Sequence, residues 1–292
     1  MRPMLRPGTH VLRRGTGELQ VGLDPETALV LPDSPVVRDS LRLLTGPAGV
    51  EGRPDPATLH LLAEHHALVD EGDLAPAGKG DCLSPSAAAA LARCSGDRTV
   101  VARRARAGFR TRTVTFGADP AASLGEEFVA LTRSAGIQEA APRSERPPDC
   151  GVLIGVGEPG RELLDGWTRA GTPYLLVRLV EGRAVVGPFV VPGSTACLRC
   201  IDAHCTDADP AWPLLVRQYA EASSGTRADG TPEPVDPLLG TLALAWAARD
   251  LASYVDGARP SAWSATVTIH PRLSRLETRP WLRHGACPCT WD

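Results

Sequence analysis

Lysine is almost missing from this chain. Of 31 basic residues, Lys79 alone is lysine and the others are arginine. With abundant Ala, Gly and Pro, that skew reads as the imprint of a GC-rich bacterial genome rather than of a function. A dominant charge is missing too: the net charge of -3 gives no overall pull toward nucleic acid or an anionic membrane surface. No apolar run approaches the ~20 residues of a membrane-spanning helix. The first residues mix Arg and Pro without an apolar signal core, so a cytoplasmic protein is expected. A reducing cytosol disfavours disulfides, so the cysteines are expected as metal ligands or plain thiols. Cys82, Cys94 and Cys150 stand apart from the others and read as inert packing residues.

What is present begins with enough apolar residues, 43% of 292, for one large or two medium domains. Two short-spaced thiol pairs then stand out. Cys197-Leu198-Arg199-Cys200 lies mid-chain and Cys287-Pro288-Cys289 lies near its end. Each pair offers two thiolates, and a fold that joins them makes a tetrahedral zinc site. Four protein sulfurs leave no open position for water or substrate, so such a zinc is structural. The alternative is four unrelated thiols, and His284 and Cys205 are spare donors nearby.

The N-terminal residues 1–76 read as a separate small unit. Thr9–Arg14 and Glu18–Leu23 are short strands joined by Gly15-Thr16-Gly17, and Thr27–Leu31 is a third strand. Ser34-Pro35 and Asp55-Pro56 each open a helix. Three strands with helices resemble a winged helix. A DNA-binding role is disfavoured, because Ala57–His66 contains no Arg or Lys to meet phosphates. Residues 77–96 read as a connector with room for a short helix at Ala87–Ala90.

Residues 97–292 alternate between strand and helix, which predicts a largely parallel sheet. Arg98–Arg103, Thr111–Phe116, Gly151–Val156 and Tyr174–Val180 read as strands. Tyr174–Val180 is expected to pair with Ala184–Val191, and Ala262–Ile269 with Leu273–Thr278. Asp236-Pro237 caps a long helix whose stretch Leu238–Ala248 is apolar nearly all round, hence central and buried. Two glycine turns bear on nucleotide binding. Gly117–Gly125 is sparse in glycine, loses a donor at Pro120 and carries Asp119. Gly155-Val156-Gly157-Glu158-Pro159-Gly160 matches G-x-G-x-x-G after a strand, but Glu158 opposes phosphate at the helix start. Neither is expected to bind ATP.

The block Val186-Gly187-Pro188…Pro192-Gly193…Cys197-Leu198-Arg199-Cys200 leads to Asp207-Ala208-Asp209-Pro210-Ala211-Trp212-Pro213, and the chain closes with Cys287-Pro288-Cys289-Thr290-Trp291. These segments resemble the ThiF-like partner proteins of YcaO cyclodehydratases, which act in making azole and azoline peptides of bacteriocin or thiopeptide type. The resemblance spans nearly the whole chain. It implies an α/β protein: a winged-helix-like precursor-recognition unit followed by a degenerate ThiF/ubiquitin-activating-type Rossmann-like domain with a structural zinc at Cys197, Cys200, Cys287 and Cys289. Departures include Cys205 in place of a basic residue and Pro47–Pro54 in place of a helix. No counterpart of the family's ATP-handling arginine–lysine–aspartate set is found.

The expected function is therefore non-catalytic: leader-peptide binding and presentation to a separate YcaO enzyme. No ATP, nucleic acid or membrane is called for, and a homodimer is left open. The alternative is an ATP-dependent adenylyltransferase that activates a peptide or carrier-protein carboxylate. The expected peptide site is the outer edge of the third strand. Thr27, Leu29, Val30, Leu31, Leu59, Leu62, Ala63 and His66 are its candidate residues.

Overall fold

A Ser or Asp followed at once by proline starts four helices, and each cap closes as that chemistry dictates. Ser34, Asp55, Ser84 and Asp236 accept from the backbone N–H groups of Val37, Thr58, Ala87 and Leu238 respectively. The structure, a computed structural model, describes residues 2–15, 17–47, 52–76, 78, 81–117, 120–223, 229–231 and 233–290. Thr16, Lys79, Asp119 and Trp291, and part of Pro47–Pro54, lie outside the described residues. The chain divides into two compact units, Met1–Arg104 and Ala105–Asp292.

In the first unit, β1 (Pro3–Leu5) pairs antiparallel with β5 (Leu68–Asp70). A separate antiparallel meander contains β2 (Val11–Arg13), β3 (Glu18–Val21) and β4 (Leu29–Pro32), in that order. Helices α1 (Pro35–Thr45) and α2 (Pro56–Glu64) follow. Leu19, Leu31, Leu41, Leu44 and Leu62 are buried together in one small core. Helix α3 (Pro85–Ser95) occupies the segment expected as a connector, and it belongs to this unit.

Arg98–Arg103 corrects the sequence expectation. It is not a strand but the start of helix α4 (Thr99–Gly108). The run Thr-Val-Val suits a strand locally, yet Thr99, Ala102, Arg103 and Arg106 are the buried positions, which is helical spacing. Burial of two arginines requires partners. Arg103 reaches Asp81 at 2.7 Å, with both side chains 2% exposed, and donates to the carbonyls of Asp73 and Leu74. Within the second unit, Arg106 reaches Asp256 at 2.6 Å. Tertiary pairing thus overrides a β-branched local preference.

The second unit is built on β6 (Arg110–Phe116), α5 (Ala121–Ser134), β7 (Gln138–Glu139), β8 (Cys150–Val156), α6 (Glu162–Arg169), β9 (Tyr174–Val180) and β10 (Arg183–Val190). Next come α7 (Leu198–Ala208), α8 (Trp212–Ser223), α9 (Pro237–Val255), β11 (Ala265–Ile269) and β12 (Leu276–Pro280). They form one seven-stranded sheet in the order β12-β11-β10-β9-β8-β6-β7. The pairings β7·β6, β6·β8 and β8·β9 are parallel; β9·β10, β10·β11 and β11·β12 are antiparallel. The sheet is therefore half parallel, not largely so. The two-residue reversal at Glu181-Gly182, both with positive φ, turns β9 directly into an antiparallel neighbour.

Alternation along β9 divides the two faces. Leu175, Val177 and Leu179 join α5 and α9 in one core, whereas Tyr174 and Leu176 join α6 and α7 in the other. Helix α9 is buried on one face only: Leu239, Ala243, Leu244, Ala247 and Leu251 are inside, but Leu238 is 81% exposed. Its buried Asp250 accepts from the N–H groups of Ser261 and Ala262, which anchors the approach to β11. Among the described residues, no helix is long and apolar enough to cross a membrane.

Candidate functional site

The first thiol pair sits where a helix begins. Cys197 is the N-cap of α7, and Cys200 N–H donates to the Cys197 carbonyl at 3.0 Å, so both side chains issue from one tight turn. The second pair lies in a reversal closed by Cys287 N–H on the His284 carbonyl at 2.9 Å. The fold brings both pairs together. Cys197 Sγ lies 3.7, 3.6 and 3.6 Å from the sulfurs of Cys200, Cys287 and Cys289, and Cys200 Sγ lies 3.3 Å from Cys289 Sγ. A disulfide needs about 2.05 Å, so these are four separate thiols. A tetrahedron of sulfurs around zinc, with bonds of about 2.3 Å, has edges of roughly 3.8 Å. The observed cage fits that cation with a small expansion.

Electrostatics agrees with a cation-seeking cage. The hydrogen bond from Cys197 holds the Cys200 thiol down to about 4, while burial and hydrogen bonding to Cys200 push Cys289 up to about 12. Protons are thus shared unevenly among sulfurs too close to ionise together unless a metal neutralises them. The surrounding groups fix the second pair in place. Arg283 donates to the carbonyls of Gly193 at 2.7 Å and Cys289 at 2.6 Å. Two histidines tie the same segment to α7: His204 Nε2 meets the Leu282 carbonyl at 3.0 Å, and His284 Nε2 meets Asp207 at 2.9 Å. His284 Nδ1 accepts from Ala286 N–H, so both of its ring nitrogens are engaged outside the sulfur cage. Cys205 points elsewhere along α7, packs against the core, and has its thiol pushed up by burial. Of the three cysteines expected to pack inside, only Cys150 is buried; Cys82 and Cys94 are exposed.

A cleft of about 1210 Å³ opens beside this cage, lined by the end of β6, the turn after β8, and α6, α7 and α8. Strand β7 lies on one side of β6 and β8 on the other, so the cleft stands at the switch point where open α/β sheets bind ligands. Its floor is already charge-neutral. Glu158 is held by Arg161 at 2.9 Å and Arg178 at 2.5 Å. Arg161 also grips Asp202 with two bonds of 2.8 Å, and Trp212 Nε1 donates to the same carboxylate. Burial alone would lower the Arg161 guanidinium, but bonds and charge from Asp202 and Glu158 carry it above its ordinary value. The glycines are used by the chain itself. A Cβ on Gly155 would lie 2.2 Å from the Phe116 carbonyl oxygen, and one on Gly157 would lie 2.3 Å from Ser223 Oγ. Nothing in the sequence pattern alone pointed to this five-residue network, because its members come from the β8–α6 turn, β9, α7 and α8.

In the first unit, the candidate peptide residues separate. Leu31 and Leu62 are buried in the small core, with Leu29 and Leu59 packed against it. Thr27, Val30, Ala63 and His66 are exposed. His66 has a φ of +50° and closes α2: His66 N–H bonds to Ala63 O and Ala67 N–H to Leu62 O, the paired arrangement of a left-handed helix stop. Among the described residues β4 is an edge strand, bonded to β3 alone. Asp33 N–H bonds to Gly17 O, and by ladder alternation Leu31 and Leu29 also face β3. Val30 N–H and C=O therefore face outward. Ala28 N–H is taken by Asp24 O and Pro32 has no donor, so Val30 centres the open edge.

No protein-family profile and no curated protein matches this sequence. Solved structures do match in fold. The structure of the heterocyclase TruD aligns with a TM-score of 0.72 at 19% identity, over 99% of this chain and 42% of that one. A heterocyclase in complex with substrate and cofactor gives 0.71 at 19%, over 99% and 39%. E. coli MccB with ATP gives 0.60 at 13%, over 99% of both chains. The chain thus spans about two fifths of the two heterocyclase chains and the full length of MccB. At these identities the likeness establishes the fold: a mixed α/β protein with a seven-stranded sheet, similar to MccB and to part of TruD.

Proposed function

We propose that this chain binds the leader of a ribosomally made precursor peptide and presents the core peptide to a separate YcaO enzyme that converts Cys, Ser or Thr to azolines. The N-terminal unit serves as the winged-helix recognition element, the leader adds a strand at β4, and zinc at Cys197, Cys200, Cys287 and Cys289 holds the second unit's terminus. The observation that carries this reading is the open backbone edge at Val30, in a fold shared with heterocyclase chains. Strand addition draws affinity from main-chain bonds and selectivity from flanking side chains. Leu29 and Leu59 border the small core beside the exposed residues and supply its apolar flank.

The test uses the full chain and a fluorescent leader from a short Cys/Ser/Thr-rich precursor encoded beside a YcaO gene. Polarisation should report micromolar or tighter binding, about 8 kcal/mol. Val30→Pro removes the central donor and splays the partner strand, so two bonds of about 1 kcal/mol each are lost and affinity falls at least about tenfold. Binding by Val30→Pro equal to that of Val30→Thr, with both folded, would rule out the β4 site.

A second reading is an adenylyltransferase. It is favoured by the cleft at the switch point and by the fold likeness to a chain solved with ATP. Against it, Glu158 and Asp202 already hold Arg161 there, and the Gly157 N–H is taken by the Leu179 carbonyl. Pyrophosphate exchange by the chain with its peptide would establish this second activity; none is expected.

A further inference from the structure

We propose that a second copy of this chain pairs with it edge to edge through β12, extending the two seven-stranded sheets into one. The motivating feature is a strand whose charge pattern is complementary to itself. Strand β12 reads Leu276-Glu277-Thr278-Arg279-Pro280, and all five residues are exposed. Among the described residues it ends the sheet, bonded to β11 alone. Trp281 N–H donates to Ser264 O at 2.7 Å, and the register pairs Arg279 with Thr266 and Glu277 with Thr268. Ladder alternation therefore turns the backbone groups of Glu277 and Arg279 toward β11, and those of Leu276, Thr278 and Pro280 away from it.

An antiparallel partner centred on Thr278 uses those outward groups. The two Thr278 residues exchange N–H···O bonds, and each Leu276 N–H donates to the partner's Pro280 carbonyl. The absent donor of Pro280 removes the return bond and ends the ladder there. Between these bonded pairs lie the closer non-bonded pairs, and there Glu277 of each copy faces Arg279 of the other. The two-fold axis repeats that pair, so two opposite-charge contacts form from one strand. A slip of two residues, the smallest that restores the bonding pattern, breaks both, so the charges fix the register as well as the partner.

Existing contacts leave the charges usable. Arg279 lies over the Trp281 ring at 3.9 Å, which holds its guanidinium on the sheet face. Glu277 is bridged by Arg275 and has His270 Nε2 at 3.8 Å, with its side chain 46% exposed. Leu273 just before the strand and Leu276 at its start are 62% and 53% exposed, and pairing covers Leu276 with the partner's Pro280. Charges and proline on an edge ordinarily deter strand addition. Here their alternation deters a generic strand while favouring a second copy.

The experiment is size-exclusion chromatography with light scattering on the whole chain across the micromolar range, with zinc content and thermal melting as controls on folding. The wild type should be dimeric and dissociate as salt rises. Glu277→Arg and Arg279→Glu each set like charges face to face twice and should weaken the dimer about tenfold or more. The double variant Glu277→Arg/Arg279→Glu restores opposite charges and should recover it. Thr278→Pro, which deletes an outward N–H and leaves the β11 ladder intact, should be monomeric. A monomeric wild type, a dimer indifferent to either single reversal, or a double variant no better than the singles would overturn the proposal. Leader binding is read separately, so its loss or retention does not bear on this surface.

Discussion

Chelation tests the proposed metal at the sulfur cage and its purpose together. The segment from Trp281 to Thr290 contributes few anchors besides sulfur: Trp281 and Cys287 are its buried side chains among the described residues. Burial of one Trp, about 150–250 Å² at about 25 cal/mol per Å², gives about 4–6 kcal/mol as an upper bound. The bonds of Arg283, His204, His284 and the Trp281 and Cys287 backbones add about 1 kcal/mol each. Ordering about ten residues costs about 10–20 kcal/mol. Without metal the segment is balanced near release. A structural zinc at the four sulfurs would contribute on the order of 10 kcal/mol and tip that balance toward docking. The expected result is one zinc per chain, four sulfur neighbours at about 2.3 Å by X-ray absorption, and amide exchange that accelerates after chelation in residues 281–290 and the first turn of α7. Exchange in β11 should stay slow, because its strands are paired on both sides. Cys289→Ser should weaken zinc retention on the order of 100-fold or more. Absence of metal in freshly purified, chelator-free protein, or exchange unchanged by chelation, would refute the reasoning.

Three further outcomes follow from single contacts. Arg161→Ala removes the guanidinium shared by Glu158 and Asp202, and leaving a buried carboxylate under-partnered should cost about 3 kcal/mol in urea unfolding; a cost below about 1 kcal/mol would show the network to be solvated. His66→Gly relieves a left-handed residue at the end of α2 and should raise stability by roughly 0.5–1 kcal/mol, read as a higher midpoint at unchanged slope. Arg199 hydrogen-bonds Asp165 and lowers its pKa, but both side chains are over a third exposed, so Arg199→Ala should cost under about 1 kcal/mol near pH 7. Because the folded carboxyl is depressed, that difference is fully present above the unfolded value near 3.9 and is lost as pH falls through the folded value; a difference persisting near pH 2 would contradict it.

Much of the local structure was written in short sequence signals. Ser or Asp before proline capped helices at Ser34, Asp55 and Asp236, because one side-chain oxygen satisfies N–H groups that no helix can satisfy itself. The strands at Glu18–Val21, Tyr174–Val180 and Ala265–Ile269 were visible because alternation or a continuous apolar run is a nearest-neighbour property. The two cysteine pairs were visible for the same reason, each within one turn. What sequence could not settle were facts carried by residues remote from one another. Thr99–Gly108 became helix because Arg103 and Arg106 needed distant carboxylates. The sheet turned half antiparallel because β11 returns antiparallel to β10 after the three helices α7, α8 and α9 that separate them in the chain. Leu31 and Leu62 went to the core while Val30 faced out, since the face a strand residue takes depends on the register of its neighbours. Gly155 in β8 and Gly157 after it were packed against Phe116 and Ser223, and Glu158 was taken by two arginines. Burial makes such pairings compulsory, yet the chain must fold before any of these groups can find its partner.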